Sequence, residues 1–405
     1  MPESGEADDR QARMGPWRFV VWFGTVSLLA DAVYEGARSI TGPLLASLGA
    51  SALVVGVVTG AGEAAALGLR LVSGPLADRT RCFWGLAIAG YALTVVSVPL
   101  LGVAGVLWAA CVLVVAERVG KAVRSPAKDT MLSHATAATG RGRGFAVHEA
   151  LDQIGAISGP LLVAGVLALT GNDYGPALGV LAAPGIAVLL LLFWLRARVP
   201  DPEAYEREVT ASVPAEPSAP DVQGGRLPRT FWTYAAFTAA TTTGFATFGV
   251  LSYHLVQRHL LTPAWVPVLY AAAMAVDAVS ALATGWLYDR YGPRVLVALP
   301  VLTAGVVALA FTSTVAIAVA GSLLWGAAMG IQESTLRATV ADLVPSGRRA
   351  TAYGLFAGVV GVASLAGGAL IGGLYGYSIP VLITVVVAIQ VLAGVLLAVT
   401  GVGRR

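Results

Sequence analysis

The sequence predicts an all-α integral membrane protein, and three observations lead to that prediction. Of the 405 residues, 57% are hydrophobic and only 12% are charged, whereas an ordinary soluble domain has roughly 25% charged residues. Apolar runs of about 20 residues, enough helix to cross the hydrocarbon core, recur from near residue 17 to near residue 400. These runs are separated by glycine, proline and arginine. Such a chain is expected to cross the bilayer many times.

The hydropathy pattern divides into twelve predicted transmembrane spans. Spans 1 to 6 cover residues 17–47, 51–76, 83–103, 106–131, 144–170 and 175–196, and spans 7 to 12 cover residues 230–257, 263–288, 294–313, 315–339, 350–374 and 378–400. A stretch rich in proline and glutamate, without an apolar period, lies between the two sets and predicts a solvated linker. We therefore expect an N-terminal tail at 1–16, a six-helix bundle at 17–197, a linker at 198–229 and a second six-helix bundle at 230–401.

Basic residues are distributed unequally between the two sides of this arrangement. Only Arg258 falls on the side opposite the linker. The arginines on the linker side, apart from those within the linker itself, are Arg10, Arg13, Arg18, Arg79, Arg81, Arg141, Arg143, Arg290, Arg294, Arg348, Arg349, Arg404 and Arg405. Because basic residues near span ends are retained in the cytoplasm, both termini and the linker are predicted to be cytoplasmic in a multi-pass protein of the cell membrane.

Composition also excludes several classes of function. The two cysteines, Cys82 and Cys111, lie in apolar surroundings and provide neither a disulfide framework nor a zinc cluster. The net charge of +3 is small and the basic residues are dispersed, so nucleic acid is not an expected partner. No Walker A loop is present, which argues against ATP as the energy source. The expected partners are a small-molecule substrate and the lipid bilayer, and we expect a monomer without a cofactor.

The two halves of the sequence resemble each other. The stretch "GPLADRTR" from Gly74 to Arg81 follows span 2, and "GWLYDRYG" from Gly285 to Gly292 follows span 8, the equivalent place in the second half. Residues 144–165 of span 5 also align with residues 352–373 of span 11, which pairs Gly159 with Gly367 and Gly165 with Gly373. Duplicated halves are how many secondary transporters are built.

The repeated G-x-L-x-D-R resembles the cytoplasmic loop signature of major facilitator superfamily (MFS) transporters, and the resemblance covers nearly the whole chain. It is carried by Gly74, Leu76, Asp78 and Arg79 and again by Gly285, Leu287, Asp289 and Arg290. The resemblance implies two pseudo-symmetric six-helix bundles, and a loop whose Asp and Arg lock the outward-facing state by pairing with neighbouring helix ends. The first copy departs from the pattern, because Arg81 replaces the usual glycine. Span 4, with "ERVGKAVRSPAKD", is similar to a bacterial subgroup of permeases.

Span 5 contains a second motif with two interpretations. Gly155, Gly159 and Pro160 resemble the G-x-x-x-G-P sequence that is associated with exporters of this family. Small residues spaced by four also let two helices approach closely, so plain helix packing is the alternative.

The charged residues inside the predicted spans are the candidate site residues. A charge at the bilayer centre costs at least ~2.5 kcal/mol, so such residues normally face a water-filled cavity or one another. The candidates for proton coupling are Asp31, Glu35, His148, Glu149 and Asp152. The candidates for substrate recognition or ion pairing are Arg38, Glu63, Arg70, Glu117, Arg118, Lys121, Arg124, Lys128, Glu333 and Arg337.

These candidates are concentrated in the first half. Asp31, Glu35 and Arg38 share one helical face, as do the four residues Glu117, Lys121, Arg124 and Lys128, which include the only two lysines of the chain. Lysine can lose its proton when buried and arginine effectively cannot, so a functional role and a chance placement both stay open for the lysines. In the second half Asp277, Glu333 and Arg337 are the main counterparts, with Tyr253, Tyr270 and Gln332 as polar possibilities. We predict that coupling lies in the first half and that the second half supplies an apolar and aromatic wall including Trp325.

The favoured function is proton-coupled efflux of a small molecule by alternating access, driven by the proton gradient. The alternative is proton-coupled uptake of a charged metabolite or a chelated metal. Two further classes are a membrane sensor that transports nothing and an intramembrane metallohydrolase that uses "HEALD". In the latter, His148 and Glu149 fit the first half of the HExxH zinc motif, but Asp152 replaces its second histidine. We therefore expect neither a metal site nor an enzyme.

Overall fold

Helices occupy all twelve stretches that the sequence predicts as spans. The structure is a computed structural model that describes residues 14–211, 227–345 and 348–400. The helices of the first half are Pro16–Ser47, Ala52–Gly68, Arg70–Thr80, Phe83–Gly102, Leu107–Thr139, Arg141–Leu169, Tyr174–Gly179 and Ala182–Arg198. Those of the second half are Arg229–Thr243, Phe248–Gln257, Trp265–Tyr291, the 3-10 helix Gly292–Val297, Ala298–Ala310, Val315–Leu343, Arg349–Tyr377 and Ile379–Thr400.

Nine helical stretches within the described residues are long and apolar enough to cross a membrane. One of them, Trp265–Ala310, contains both span 8 and span 9. Span 4 does not meet these criteria because of its charged residues, and span 7 does not because it is divided into helices of 15 and 10 residues. The protein is therefore a multi-pass membrane protein, and twelve as the number of crossings stays a prediction.

Span 7 differs from the continuous helix that the sequence predicts over 230–257. It is interrupted at residues 244–247, between Thr243 and Phe248. The interruption leaves backbone groups unpaired at membrane depth, which is tolerated only where protein or a water-filled cavity satisfies them. Here Trp325 of span 10 donates its indole N–H to the carbonyl oxygen of Ala246 at 2.8 Å. A side chain of another helix thus stabilises the break.

The linker also differs from the prediction, because its beginning is a helix packed on the first half. Residues Glu203–Ala211 are helical, and Tyr205 is only 6% exposed. The Tyr205 hydroxyl donates to the carbonyl oxygen of Met14 at 2.5 Å, and His134 Nδ1 lies 2.6 Å from Glu206 Oε2. A helix of 9 residues is too short to give a recognisable apolar period. Residues 1–13 and 212–226, and with them Arg10 and Arg13, lie outside the described residues, as do Arg404 and Arg405.

The glycines that pair the two halves in sequence have equivalent surroundings. A Cβ atom on Gly159 would lie 2.1 Å from the carbonyl oxygen of Ala32, and one on Gly367 would lie 2.6 Å from that of Thr243. Span 5 therefore packs backbone to backbone on span 1, as span 11 does on span 7. The partners further along the same helices, Gly165 and Gly373, are in loose surroundings with no atom closer than 3.7 Å to such a Cβ. The internal duplication is thus visible in the packing.

The two halves contact each other mainly on the side opposite the linker. A Cβ atom on Gly56 of span 2 would lie 2.0 Å from the carbonyl oxygen of Gly368 in span 11, so these helices touch through their backbones. At the same side, the backbone N–H of Ala264 donates to Asn172 Oδ1 at 3.1 Å across the two halves. The halves separate toward the linker side, where they enclose a cavity.

Candidate functional site

The cavity between the halves has a volume of about 730 Å³. Its mouth is on the linker side, because Asp78, Asp129 and Tyr353, which lie near the linker ends of spans 2, 4 and 11, belong to its lining. The other charged lining residues are Arg38, Glu63, Arg70, Glu333 and Arg337, and the other aromatic ones are Phe245, Trp325 and Phe356. All four aromatic side chains come from the second half, whereas most of the charged ones come from the first.

Five charged residues of spans 1, 2 and 4 form a network at the deep end of the cavity, and we call them the central ion network. Glu63 is its shared carboxylate, since its Oε1 lies 2.8 Å from Arg38 Nη2 and 3.7 Å from Arg118 Nη1. Arg38 Nη1 is also 3.4 Å from Glu35 Oε1, and Arg118 Nε is 3.1 Å from Glu117 Oε2. Three helices of the first half are thereby tied together by paired charges, as buried charges require.

Tyr270 of span 8 connects this network to the second half. Its hydroxyl donates to Glu35 Oε2, the carboxylate oxygen that Arg38 does not contact. The Tyr270 ring is fully buried and packs edge-on against Phe248, with 4.5 Å between the ring centroids. Glu35 is therefore the point at which the central ion network meets the aromatic wall. Tyr270 was one of several polar possibilities in the sequence, and the structure singles it out.

A second group of polar side chains lies inside the first half, and we call Ser27, Asp31, Lys128, His148 and Asp152 the inner cluster. Lys128 Nζ is 3.3 Å from Asp152 Oδ2, and His148 Nε2 lies 3.2 Å from Ser27 Oγ and 3.6 Å from the same Asp152 oxygen. Asp31 is 9% exposed and has neither a hydrogen bond nor an ion pair within the part of the chain that the structure describes. None of the five lines the cavity.

Lys121 and Arg124 are held by aromatic rings and hydroxyl groups. Lys121 Nζ lies 3.2 Å from the Tyr34 hydroxyl and 4.3 Å from the centroid of that ring. The Arg124 guanidinium lies 4.6 Å from the Tyr91 ring centroid, and its Nη1 donates to Thr94 Oγ1 at 2.9 Å. These cation–π contacts stabilise charge without a carboxylate. The sequence reasoning missed Tyr34, although it lies three residues after Asp31 on the charged side of span 1.

The remaining candidates lie apart from both groups. Glu149 is exposed and does not line the cavity. Glu333 and Arg337 reach into the cavity, and neither forms an ion pair with another described residue. Arg70 Nη2 donates to Ser125 Oγ at 3.3 Å, while its Nε is buried without a hydrogen-bond partner among the described residues. Among the described residues, the ion pairs of the candidates thus lie in the first half, whereas Glu333 and Arg337 at the cavity surface form none.

The repeated loop motif is open in this structure. Asp78, Arg79 and Asp289 are exposed, and none of them forms an ion pair with a residue that the structure describes. The Arg290 guanidinium stacks over Trp286 and Tyr291, 5.7 and 5.6 Å from their ring centroids. A Cβ atom on Gly74 or Gly285 would have no atom of another described element within 4 Å. The lock that the motif implies is not formed among the described residues, as expected of a structure whose cavity is open on the motif's side.

Comparison with known proteins identifies the family. The sequence model of the Major Facilitator Superfamily matches residues 23–368 and 262–403. The chain belongs to this superfamily. It is 65% identical over 384 residues to an uncharacterised protein of Mycobacterium tuberculosis, which covers 95% of this chain and 93% of the relative. The distribution of helices and cavity described above is therefore that of an MFS transporter.

Two solved MFS structures have the same fold. The nucleoside transporter NupG superposes with a TM-score of 0.73 at 12% identity, covering 94% of this chain and 99% of that one. A peptide transporter of the POT type, solved with sulfate, gives a TM-score of 0.73 at 15% identity, with 96% and 95% covered. At such low identity the likeness concerns the fold alone.

Proposed function

We propose that this MFS protein is a proton-coupled transporter that exports a small molecule by alternating access. The observation that carries the proposal is a cavity between two pseudo-symmetric halves whose mouth is on the linker side, with the central ion network at its deep end. A binding site at such an interface can be exposed to either side in turn when the halves rock about it. With the linker in the cytoplasm, the conformation described here is the inward-open one.

The transition to the outward-open state requires two sets of contacts to exchange. The backbone contacts of span 2 with span 11, at Gly56 and Gly368, have to separate. On the linker side the halves have to approach, which brings the exposed Asp78 and Arg79 to the ends of neighbouring helices. The bond from Tyr270 to Glu35 lies between these two regions, so it is the contact about which the halves can reorient.

The inner cluster is the proposed site of proton coupling. A carboxyl group in low-dielectric surroundings holds a proton more readily than one in water, and a nearby cation opposes this. Asp31 forms no ion pair with a described residue, whereas Asp152 pairs with Lys128, and the charges of Lys128, Lys121 and Arg124 all act on Asp31. Protonation of Asp152 would release Lys128 of span 4 from span 5. His148, which contacts both Ser27 and Asp152, is placed to pass the proton between spans 1 and 5.

Export is proposed from Gly155, Gly159 and Pro160 by their resemblance to the exporter motif. Uptake of a charged metabolite is the second candidate, and the unpaired Glu333 and Arg337 at the cavity surface favour it. Drug sites are dominated by apolar lining, whereas this cavity is of mixed character.

The test is transport into proteoliposomes that enclose a pH-sensitive dye, with pooled metabolites and cationic drugs as substrates. The variants to be tested are Asp31→Asn, Glu35→Gln, Glu149→Gln and Asp152→Asn. The control is Asp173→Asn, which removes a loop carboxylate outside the site. Asn at this position can still cap the helix Tyr174–Gly179. We expect Asp152→Asn to abolish proton-driven transport while the protein stays folded and still exchanges substrate. Full gradient-driven transport in all four variants would refute coupling through these carboxyls.

The sign of the gradient separates the two directions. If protons and substrate move in opposite directions, vesicles that are acidic inside accumulate the substrate. If they move together, vesicles that are acidic outside accumulate it. Accumulation only with acid outside would reject export and establish uptake.

A further inference from the structure

Two arginines from opposite halves line the cavity near its mouth. Arg70 belongs to span 2 and Arg337 to span 10, and the positive charge of Arg337 acts on Arg70. Neither forms an ion pair within the described part of the chain, and Arg70 Nε is buried without a hydrogen-bond partner there. Two guanidinium groups are thus held at one place without a carboxylate of the described chain between them.

The charges around this pair form two layers. Glu333 lies one helical turn deeper than Arg337 on span 10, and first-half charges of both signs act on it, namely Lys121 and Arg38 and the carboxylates of Glu149 and Glu35. The deep layer therefore contains charges of both signs. In the layer near the mouth, Arg70 and Arg337 are like charges, and Asp129, in the same half as Arg70, is a carboxylate that acts on it.

Closure of the linker side has its clearest electrostatic effect on the layer near the mouth. Water in the open cavity screens the repulsion of Arg70 and Arg337, and exclusion of that water strengthens it. Asp129 can neutralise part of the charge of Arg70, but no described carboxylate of the second half does the same for Arg337, since Glu333 faces the deep layer. An anion placed between the two guanidiniums would turn their repulsion into attraction to a shared partner.

We propose that Arg70 and Arg337 form an anion clamp, which closes on a carboxylate or phosphate group of the transported molecule. The apolar part of that molecule then packs against Phe245 and Trp325, which line the same cavity. The cargo is an amphipathic organic anion. This inference rests on the alternating-access function proposed above, and it adds the chemical class of the substrate and the residues that select it.

The binding test uses three probes with one apolar body and different head groups, namely 4-phenylbutyrate, 4-phenylbutylamine and 4-phenylbutan-1-ol. They are titrated against the purified full chain in a neutral detergent, with the midpoint of thermal unfolding as readout. We expect 4-phenylbutyrate to bind most tightly, and Arg70→Gln or Arg337→Gln to weaken it by about 10- to 100-fold, the value of one charge-assisted hydrogen bond. Arg229→Gln, an exposed cation at the start of span 7, is the matched control and should leave binding unchanged.

The same experiment contains the results that would overturn the clamp. These are equal or tighter binding of the amine or the alcohol, no stabilisation by any probe, and unchanged 4-phenylbutyrate binding in both arginine variants. Arg pairs can also hold anionic lipids. Stabilisation that appears only after phosphatidylglycerol is added would assign the pair to a lipid headgroup and reject the cargo.

A second test needs no ligand. With spin labels at Thr80→Cys and Thr351→Cys, in a Cys82→Ser and Cys111→Ala background, the distance across the cavity mouth reports closure. Arg337→Glu converts repulsion into a pair with Arg70 and should shift the distance distribution toward closure. The double variant Arg70→Glu and Arg337→Glu restores repulsion and should open it again. If Arg337→Glu stays as open as wild type while a closed population exists in either, the clamp is rejected. If no closed population exists in wild type or in any variant, alternating access itself is contradicted.

Discussion

The two halves share one architecture but hold it together with different chemistry. In the first half, the central ion network and the inner cluster connect spans 1, 2, 4 and 5 through charged groups. In the second half no ion pair joins two described residues and the carboxyl of Asp277 is buried alone among them, while neutral groups make buried hydrogen bonds: Thr241 donates to Gln390 Oε1 at 2.9 Å, and the Tyr234 hydroxyl donates to the carbonyl oxygen of Leu336 at 3.0 Å. Backbone packing at Gly159 and Gly367 is nevertheless equivalent.

The comparison shows which features a duplicated transporter keeps and which it changes. Both halves need helices that touch closely enough to move as a unit, and the paired glycines provide this in each. Charged groups that can exchange partners are needed in only one half. A proton that changes the ion pairs there can reorient that half relative to the apolar and aromatic surface of the other. Substitutions at equivalent places in the two halves therefore separate the shared features from the changed ones.

The largest effect is expected from the central ion network. Glu63→Gln removes the carboxylate that Arg38 and Arg118 share, so it leaves two guanidiniums in the protein interior with less countercharge. Breaking a buried pair costs about 3–5 kcal/mol, and we expect about 3 kcal/mol because Glu35 and Glu117 remain. The measurement is the midpoint of thermal unfolding of the detergent-solubilised protein.

Glu333→Gln is the comparison variant in the second half. Glu333 forms no ion pair with a described residue and reaches into the cavity, so its replacement should change stability by less than about 0.5 kcal/mol, as for a surface substitution. Equal destabilisation by the two variants would show that the charges of the halves are equivalent, and our contrast between them would be wrong.

An intermediate effect is expected from the paired glycines, and here the halves should behave alike. Gly159→Ala and Gly367→Ala each force a methyl group into a neighbouring backbone, which typically costs about 1–3 kcal/mol. Gly165→Ala and Gly373→Ala lie on the same two helices in loose surroundings, and they should be close to neutral. Thermal unfolding of the four variants checks this. Destabilisation in only one half would contradict the packing symmetry.

Much of the fold could be predicted from the sequence, for identifiable reasons. Apolar runs predict where long helices form, and the repeated "DR" loops and span 5 glycines indicate the duplication. The exceptions are local. The break in span 7 depends on Trp325 reaching Ala246, a contact 79 residues apart in sequence, and the linker helix depends on the docking of Tyr205. Hydropathy averages along the chain and cannot detect such long-range partners.

The sequence named candidate residues, and which of them the structure brings together could not be predicted. Helical spacing places Asp31, Glu35 and Arg38 on one side of span 1, and the structure finds all three in the interior. Spacing does not reveal that Asp31 and Glu35 belong to different groups, because that depends on which helices lie on either side of span 1. The hydroxyl and aromatic partners of the cations, such as Tyr34 and Thr94, carry no charge and were therefore overlooked.

Tyr270→Phe is expected to have a smaller effect on stability than Glu63→Gln. It is also the most direct test of the contact through which a change in one half affects the other. The change removes the hydroxyl that donates to Glu35 but keeps the ring packed on Phe248. Loss of a hydrogen bond to a charged group costs about 1.5–3 kcal/mol, and we expect about 1.5 kcal/mol because Arg38 still pairs with Glu35. Tyr234→Phe, which loses a bond to a backbone carbonyl inside the second half, should cost about 1 kcal/mol. The two variants should differ in transport, because only Tyr270 joins the charged half to the aromatic one. We expect Tyr270→Phe to lower the proton flux per substrate moved while Tyr234→Phe leaves it unchanged, and an identical flux ratio in both would mean that the halves communicate through another contact.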